Sequence, residues 1–360
     1  MPHSIRARSV WPSLKGLFLS LMLAAVTLPR AEAAGRELVF LNWPEYVSPQ
    51  VLEDFERSTG IHVQLMTFED DAERDKLLMA GNVSNYDLVC VNHSTVGAYV
   101  ASGWLAPVTV REVPNLRAID PKWFERVPES QGFALPYFWG STGFAYRRDL
   151  LNQELDSWTQ LLDPPEGLRG KISMTKNPRD LVSAALKALH FSINTTNESE
   201  LAQAEALLMK QRPFVKTYAY DLAATRNRAA LAKGEILASM AFNGDAVQVQ
   251  DVAPGVQFVL PKEGAGLWLD MLAVLSQSLH KAEAYALLEY LNRPEVAARN
   301  AEYVRFATPN VEARKRLPAE FLNNKAINPS PAEVERSEFE RELPPRVQRR
   351  INEIAARVTR

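Results

Sequence analysis

The chain has one cysteine, Cys90, in 360 residues, so no internal disulfide can form. Cys90 lies in the apolar run Leu88-Val-Cys-Val91 and reads as a small buried residue. Histidine is also scarce, and the five (His3, His62, His93, His190, His280) show no metal-ligand spacing. There is no Gly-x-Ser-x-Gly elbow and no glycine-rich phosphate loop. No pair of carboxylates stands out as a glycosidase would need. An enzyme is therefore the weaker class. Basic excess is missing too: 41 Lys and Arg face 43 Asp and Glu. Without residues 1–33 the balance is 37 to 42, formally −5. Nucleic acid, which needs a basic surface, is disfavoured as a partner. There is no internal repeat and no low-complexity tract.

The longest apolar run, Leu17 to Leu28, is short for a bilayer span. Arg6, Arg8 and Lys15 precede it, and Ala31-Glu32-Ala33 follows as a small-x-small site. Residues 1–33 thus read as a cleaved signal peptide that directs export rather than a membrane anchor. No cysteine near that site would take a lipid.

The mature part alternates. Strands are expected at 38–41, 61–66 and 86–91, and helices at 49–59, 69–80 and 94–103. Ser48 and Pro49 supply a start signal, and Gly60 a stop. The β-α-β-α-β order predicts an α/β unit with a parallel sheet. Ligands in such sheets sit beyond the carboxyl ends of the strands, where Trp43, Tyr46 and Asn92 fall. The Pro-rich stretch 107–128 reads as loop, and 134–146 as an extended aromatic segment and first hinge. From about 147 a second unit begins, with helices at 158–162, 180–189 and 198–211 and strands at 171–174 and 235–242. A helix at 281–291 follows, and the tail from Pro345 spaces Val347, Ile351, Ile354 and Val358 as one helical face.

The stretch that organises these parts is 261–275. A turn at Pro261, Gly264 and Gly266 leads into an apolar strand holding one charge, Asp270, two residues after Trp268. Residues two apart in a strand share a side. A carboxylate there is costly unless compensated. One reading is a strand-end Asp bonded to backbone or to Arg. The other is a site for an organic cation, held by an aromatic face and a carboxylate together.

Seven segments occur in one order: Asn42-Trp-Pro-Glu-Tyr46, Tyr86-Asp-Leu-Val89, Pro136-Tyr-Phe-Trp-Gly140, Asn243-Gly244, Pro261-Lys-Glu-Gly264, Trp268-Leu-Asp270 and Ala307-Thr-Pro-Asn310. In this the chain, from about 37 to 345, resembles the periplasmic spermidine/putrescine-binding proteins of polyamine ABC importers. The resemblance implies an α/β, two-lobed clamshell of the type II binding-protein class, each lobe a mixed or parallel sheet flanked by helices, with two hinge crossovers. It places lobe one at 36–143 plus 269–314 and lobe two at 144–268 plus 315–360. It implies a polyamine in the cleft, an inner-membrane ABC permease as partner, a monomer, and no cofactor or metal.

The resemblance assigns cleft aromatics to Trp43, Tyr46 and Trp268 and the main amine-binding carboxylate to Asp270. Phe242 stands at a Trp position of the family and Phe306 at a Tyr position. Asn92 and Ser94 replace a Ser and a Tyr. Asn177 occupies an Asp position, with Lys176 beside it, and Asp180 a Glu position. Glu340 falls at a Gln position. Asp245 and Glu69 to Asp71 are further acids, and Asp180 and Glu340 are the choices for the distal amine. His93 lies near the cleft as a loop histidine. Alternatives within the fold are another amine, a zwitterion, or a polyamine sensor.

Overall fold

The computed structural model describes residues 36–80, 83–220 and 229–360. The proposed leader lies outside these residues.

Alternating elements build the first part. β1 (Glu37–Asn42) turns through Pro44 and Glu45 into α1 (Pro49–Thr59), followed by β2 (His62–Thr67), α2 (Asp71–Ala80), β3 (Leu88–Asn92) and α3 (Val96–Ala101). The expected signals act at α1. Pro49 opens the helix, where its missing N–H costs nothing. Gly60 closes it in the left-handed conformation, φ 70°, returning its N–H to Glu56. Ser48 bonds differently from a side-chain cap: its backbone N–H donates to Asn300 Oδ1 at 2.8 Å. The Pro-rich stretch contains short α4 (Lys122–Arg126) before the 13-residue β4 (Leu135–Arg147).

The second part carries α5 (Thr159–Leu162), β5 (Ile172–Ser173), α6 (Pro178–Ala188), α7 (Glu198–Gln211) and β6 (Val215–Thr217). It continues with α8 (Ala230–Lys233), β7 (Ala238–Phe242), α9 (Asn243–Gln250) and β8 (Val256–Val259). β9 (Gly266–Val274) leads into α10 (Lys281–Leu291), α11 (Pro294–Val304), α12 (Val311–Arg314), α13 (Ala319–Asn323) and α14 (Pro331–Glu335). β10 (Glu338–Phe339) and α15 (Pro345–Val358) end the chain.

The strands pair in the order β2-β1-β3-β9-β4-β7-β5-β6, with β10 beside β9 and β8 beside β4. β1, β2 and β3 are mutually parallel, while β9 runs antiparallel to β3 and to β4. Two long strands therefore serve both halves. Residues 135–141 of β4 pair with β9, and residues 142–147 pair with β7 and β8.

Side-chain packing divides around this shared strand. One core joins Phe40, Phe55, Val91, Leu272 and Leu288; the other joins Phe144, Trp158, Leu181, Leu208 and Ile354. A smaller cluster gathers around Leu231, Ala241 and Val249. This is a two-lobed α/β clamshell, a mixed sheet flanked by helices. The chain passes between cores in β4 and β9, and again near β10. The return expected at residue 314 comes later in the packing: Leu317, Phe321 and Ile327 belong to the first core.

Candidate functional site

The turn after β1 aims two rings. Glu45 takes a left-handed φ of 54°, which costs a non-glycine residue about 1 kcal/mol or more. Trp43 packs on Phe68, centroids 4.3 Å apart. Tyr46 is buried, its ring edge-on to Phe138 at 5.5 Å and Phe306 at 5.6 Å. The wall continues from Phe306 to Trp268 (4.9 Å), to Phe242 (6.0 Å) and on to Tyr220 (5.4 Å). Two glycines admit it. A Cβ on Gly140 would stand 2.4 Å from the Trp268 ring, and one on Gly244 2.5 Å from Phe306. Five aromatic rings thus form a continuous surface drawn from both halves of the chain.

Carboxyl groups face this wall. Tyr46 donates to Asp270 Oδ2 at 3.0 Å. Burial pushes the Asp270 carboxyl up to about 7, helped by the negative charge of Asp71. Tyr46, Arg74 and the Asn92 amide oppose that shift. Asn92 lies opposite Asp270 in the β3–β9 register, and its Oδ1 accepts the Ser94 N–H and hydroxyl, both at 2.9 Å. Asp180, in the first turn of α6, is pushed up to about 8 by burial and then by Glu340. The Thr142 hydroxyl, at 3.3 Å, and Arg179 oppose that shift. Glu340 is raised by burial as well, against the pull of Arg179, whose Nε lies 3.7 Å away. Asp71 raises Asp270, Asp180 and Glu340 together, which places all four in one electrostatic neighbourhood. Asp245 accepts from Tyr220 at 2.6 Å and is pushed up to about 6 by burial, with Glu45 adding to the shift. Acidic groups outnumber the cations that oppose their shifts, Arg74 and Arg179.

Of the eleven residues singled out from sequence, Tyr46, Phe242, Trp268 and Phe306 join the ring wall, Asp180, Asp245, Asp270 and Glu340 are the raised acids, Asn92 and Ser94 bond each other opposite Asp270, and Trp43 packs on Phe68. Asn177 does not present a free amide oxygen, because Oδ1 caps α6 by accepting from the N–H groups of Arg179 and Asp180. Lys176 is exposed. His93 is structural: its Nδ1 accepts from the Leu269 N–H at 3.2 Å, leaving Nε2–H to donate to the Glu340 carbonyl at 3.0 Å. Burial lowers this ring to about 4, so it stays neutral near pH 7. Burial pushes the Cys90 thiol well up, and it is inert.

Sequence reasoning missed Arg74, Thr142, Tyr220 and Glu45. Arg74 is fully buried, pairing with Asp71 (2.5 Å) and Asp75 (3.0 Å) and stacking near Phe68 and Tyr99. The spacing of its helix gives no sign that an arginine flanked by acids turns inward. Tyr220 adjoins residues 221–228, which lie outside the described part. Among the described residues no group of three His, Cys, Asp or Glu is placed to hold a metal.

The profile of the bacterial extracellular solute-binding proteins matches residues 50–329. The chain belongs to that family. Among curated relatives, the norspermidine sensor of Vibrio cholerae is 31% identical over 312 residues, covering 86% of this chain and 84% of the relative. The spermidine/putrescine-binding periplasmic protein of Escherichia coli is 30% identical over 308 residues, 85% and 87% of the two chains. Among solved structures, a spermidine/putrescine ABC transporter substrate-binding protein from Streptococcus pneumoniae superposes with a TM-score of 0.77. It is 23% identical, covering 90% of this chain and 98% of that one, and so speaks for the fold alone.

Proposed function

We propose that this chain is a periplasmic polyamine-binding protein. It takes a putrescine- or spermidine-like cation into the cleft and hands it to an inner-membrane ABC permease, without a chemical step. The observation that carries the reading is Asp270, a buried carboxylate bonded to Tyr46, near the Trp268 and Phe306 rings, with no Lys or Arg bonded to it among the described residues. An ammonium there would gain a charge-assisted hydrogen bond and an aromatic face at once. Asp180 and Glu340 would receive a second amine, and the rings between would cover the methylene chain. The names of the curated relatives support this reading. In it, residues 1–33 direct export, the mature chain acts as a monomer, and the halves built on the two cores close on the ligand.

A second reading keeps the ligand and changes the partner. The Vibrio cholerae relative is a sensor, and a liganded clamshell could equally report to a receptor.

The test is calorimetric titration of the chain from Ala34 with putrescine, cadaverine, spermidine and spermine. Low-micromolar or tighter binding of one, lost in Asp270→Ala, is the expected result. No heat with any of the four removes the polyamine and leaves the fold standing.

A further inference from the structure

A cavity of about 310 Å³ opens behind the hinge strands. Leu267 of β9 and Phe339 of β10 line it, and they are register partners, so they share a face. Their neighbours Trp268 and Glu340 belong to the cleft. Successive strand residues point to opposite faces, so along β9 the cavity at Leu267 lies on the side away from Trp268.

Two arginines complete the lining, Arg126 from α4 and Arg341 just after β10. Arg126 stacks its guanidinium over the Phe339 ring at 4.8 Å. Neither arginine has a carboxylate partner among the described residues. The lining also includes two acids. Glu338 is already bonded to Lys187, at 3.1 Å, and to the Ser192 hydroxyl. Glu335 is exposed at the rim. What remains is an apolar floor of Leu267, Val334 and Phe339 between two guanidinium groups. Guanidinium matches carboxylate in two parallel hydrogen bonds. The volume suits a small organic ligand.

We propose that this cavity is a second ligand site, for a small carboxylate with a flat apolar body. The apolar body lies along Leu267 and Val334 beside Phe339, and the carboxylate between Arg126 and Arg341. The arginines come from opposite sides of the hinge. Arg126 follows Trp123, a member of the first core. The Arg341 backbone N–H donates to Asn194 Oδ1 at 2.8 Å, and Asn194 also bonds Arg179 of α6, in the second half. Closing a clamshell in front spreads it behind the hinge. A carboxylate tying the two arginines therefore opposes closure. On the polyamine reading of the cleft, it weakens polyamine binding, and polyamine weakens it by the same factor.

The experiment uses benzoate as the probe, titrated into the chain from Ala34, with sulfate as the anion control. Saturable benzoate binding with Kd below about 1 mM is expected, weakened about tenfold or more by Arg126→Ala and by Arg341→Ala. Both arginines are exposed, so the fold survives the changes. Without benzoate, each variant keeps its spermidine affinity within about twofold; saturating benzoate weakens spermidine about threefold or more in the parent only. Benzoate binding that ignores both substitutions, or is absent, overturns the site. Sulfate binding as tightly as benzoate overturns the apolar body. Unchanged or tightened spermidine affinity overturns the hinge coupling. If no polyamine binds at all, the reading of the cleft fails, and the benzoate titration still decides the cavity.

Discussion

Binding of a polyamine should expel protons from this cleft. At pH 7 a carboxyl raised to about 7 is half protonated, so ligand-free Asp270 carries about half a proton. The Asp180–Glu340 pair titrates as a unit, with Asp180 pushed up to about 8, and holds about one more. Ammonium groups docked against these acids favour the ionised form and pull the values back toward the carboxylate range. Polyamine nitrogens, with lysine-like basicity, remain charged throughout. Between about one and two protons are therefore released per ligand at pH 7. Titrations in buffers of low and high ionisation enthalpy measure the number directly, as the slope of observed heat against buffer enthalpy. Asp270→Asn should remove about half a proton from that slope. Affinity should rise between pH 5 and pH 8, because at low pH the ligand must displace protons that it does not meet at high pH. Heat independent of buffer, with tight binding, would refute the reasoning and mean that these acids ionise without the ligand.

Other expectations follow from the same geometry. Asp270→Ala should weaken polyamine binding by about 2–5 kcal/mol in calorimetry, since it strands a buried ammonium. The ligand-free chain should melt at lower temperature at pH 8.5 than at pH 5: Asp180 and Asp270 hold protons when folded that the unfolded chain sheds near pH 4, so their contribution is lost as pH rises through 7 to 8. Saturating ligand should reduce that slope. Gly140→Ala should loosen both fold and site, because the added Cβ meets Trp268 at 2.4 Å and Asn243 Oδ1 at 2.3 Å; melting and affinity would fall together. Trp158→Ala should cost about 3–5 kcal/mol of stability while leaving affinity nearly intact, as Trp158 fills the second core and donates to the Gly264 carbonyl away from the cleft.

Local signals located the elements that such signals control. α1 is bracketed by Pro49 and Gly60, and α7, α10 and α15 each bury one apolar face, so their limits could be read from spacing. α9 could not. Its opening Asn243-Gly244 has the composition of a turn, and the reason it starts a helix lies elsewhere: Asn243 Oδ1 accepts from the Ser141 N–H while its amide donates to the Ala326 carbonyl. α11 shows no such stripe, although Pro294 opens it and Arg305 closes it, since its Ala-rich faces are buried on several sides. In the cleft, rings and acids near strand ends were legible. Arg74 was not, because whether a helix arginine points to water or inward is decided by Phe68, Tyr99 and two carboxylates packed from outside it. Thr142 and Tyr220 acquire their contacts only through pairings distant in sequence.

The way β4 and β9 are shared has a bearing on how the chain is made. The first core needs Phe40 and Leu88 from the beginning, Leu272 and Leu288 from the last third, and Ile327 near the end. The second needs Phe144 and also Ile354. Neither hydrophobic centre can be completed until parts far apart in the chain have both been synthesised. A chain of this design gathers its cores late, from contacts of long sequence separation.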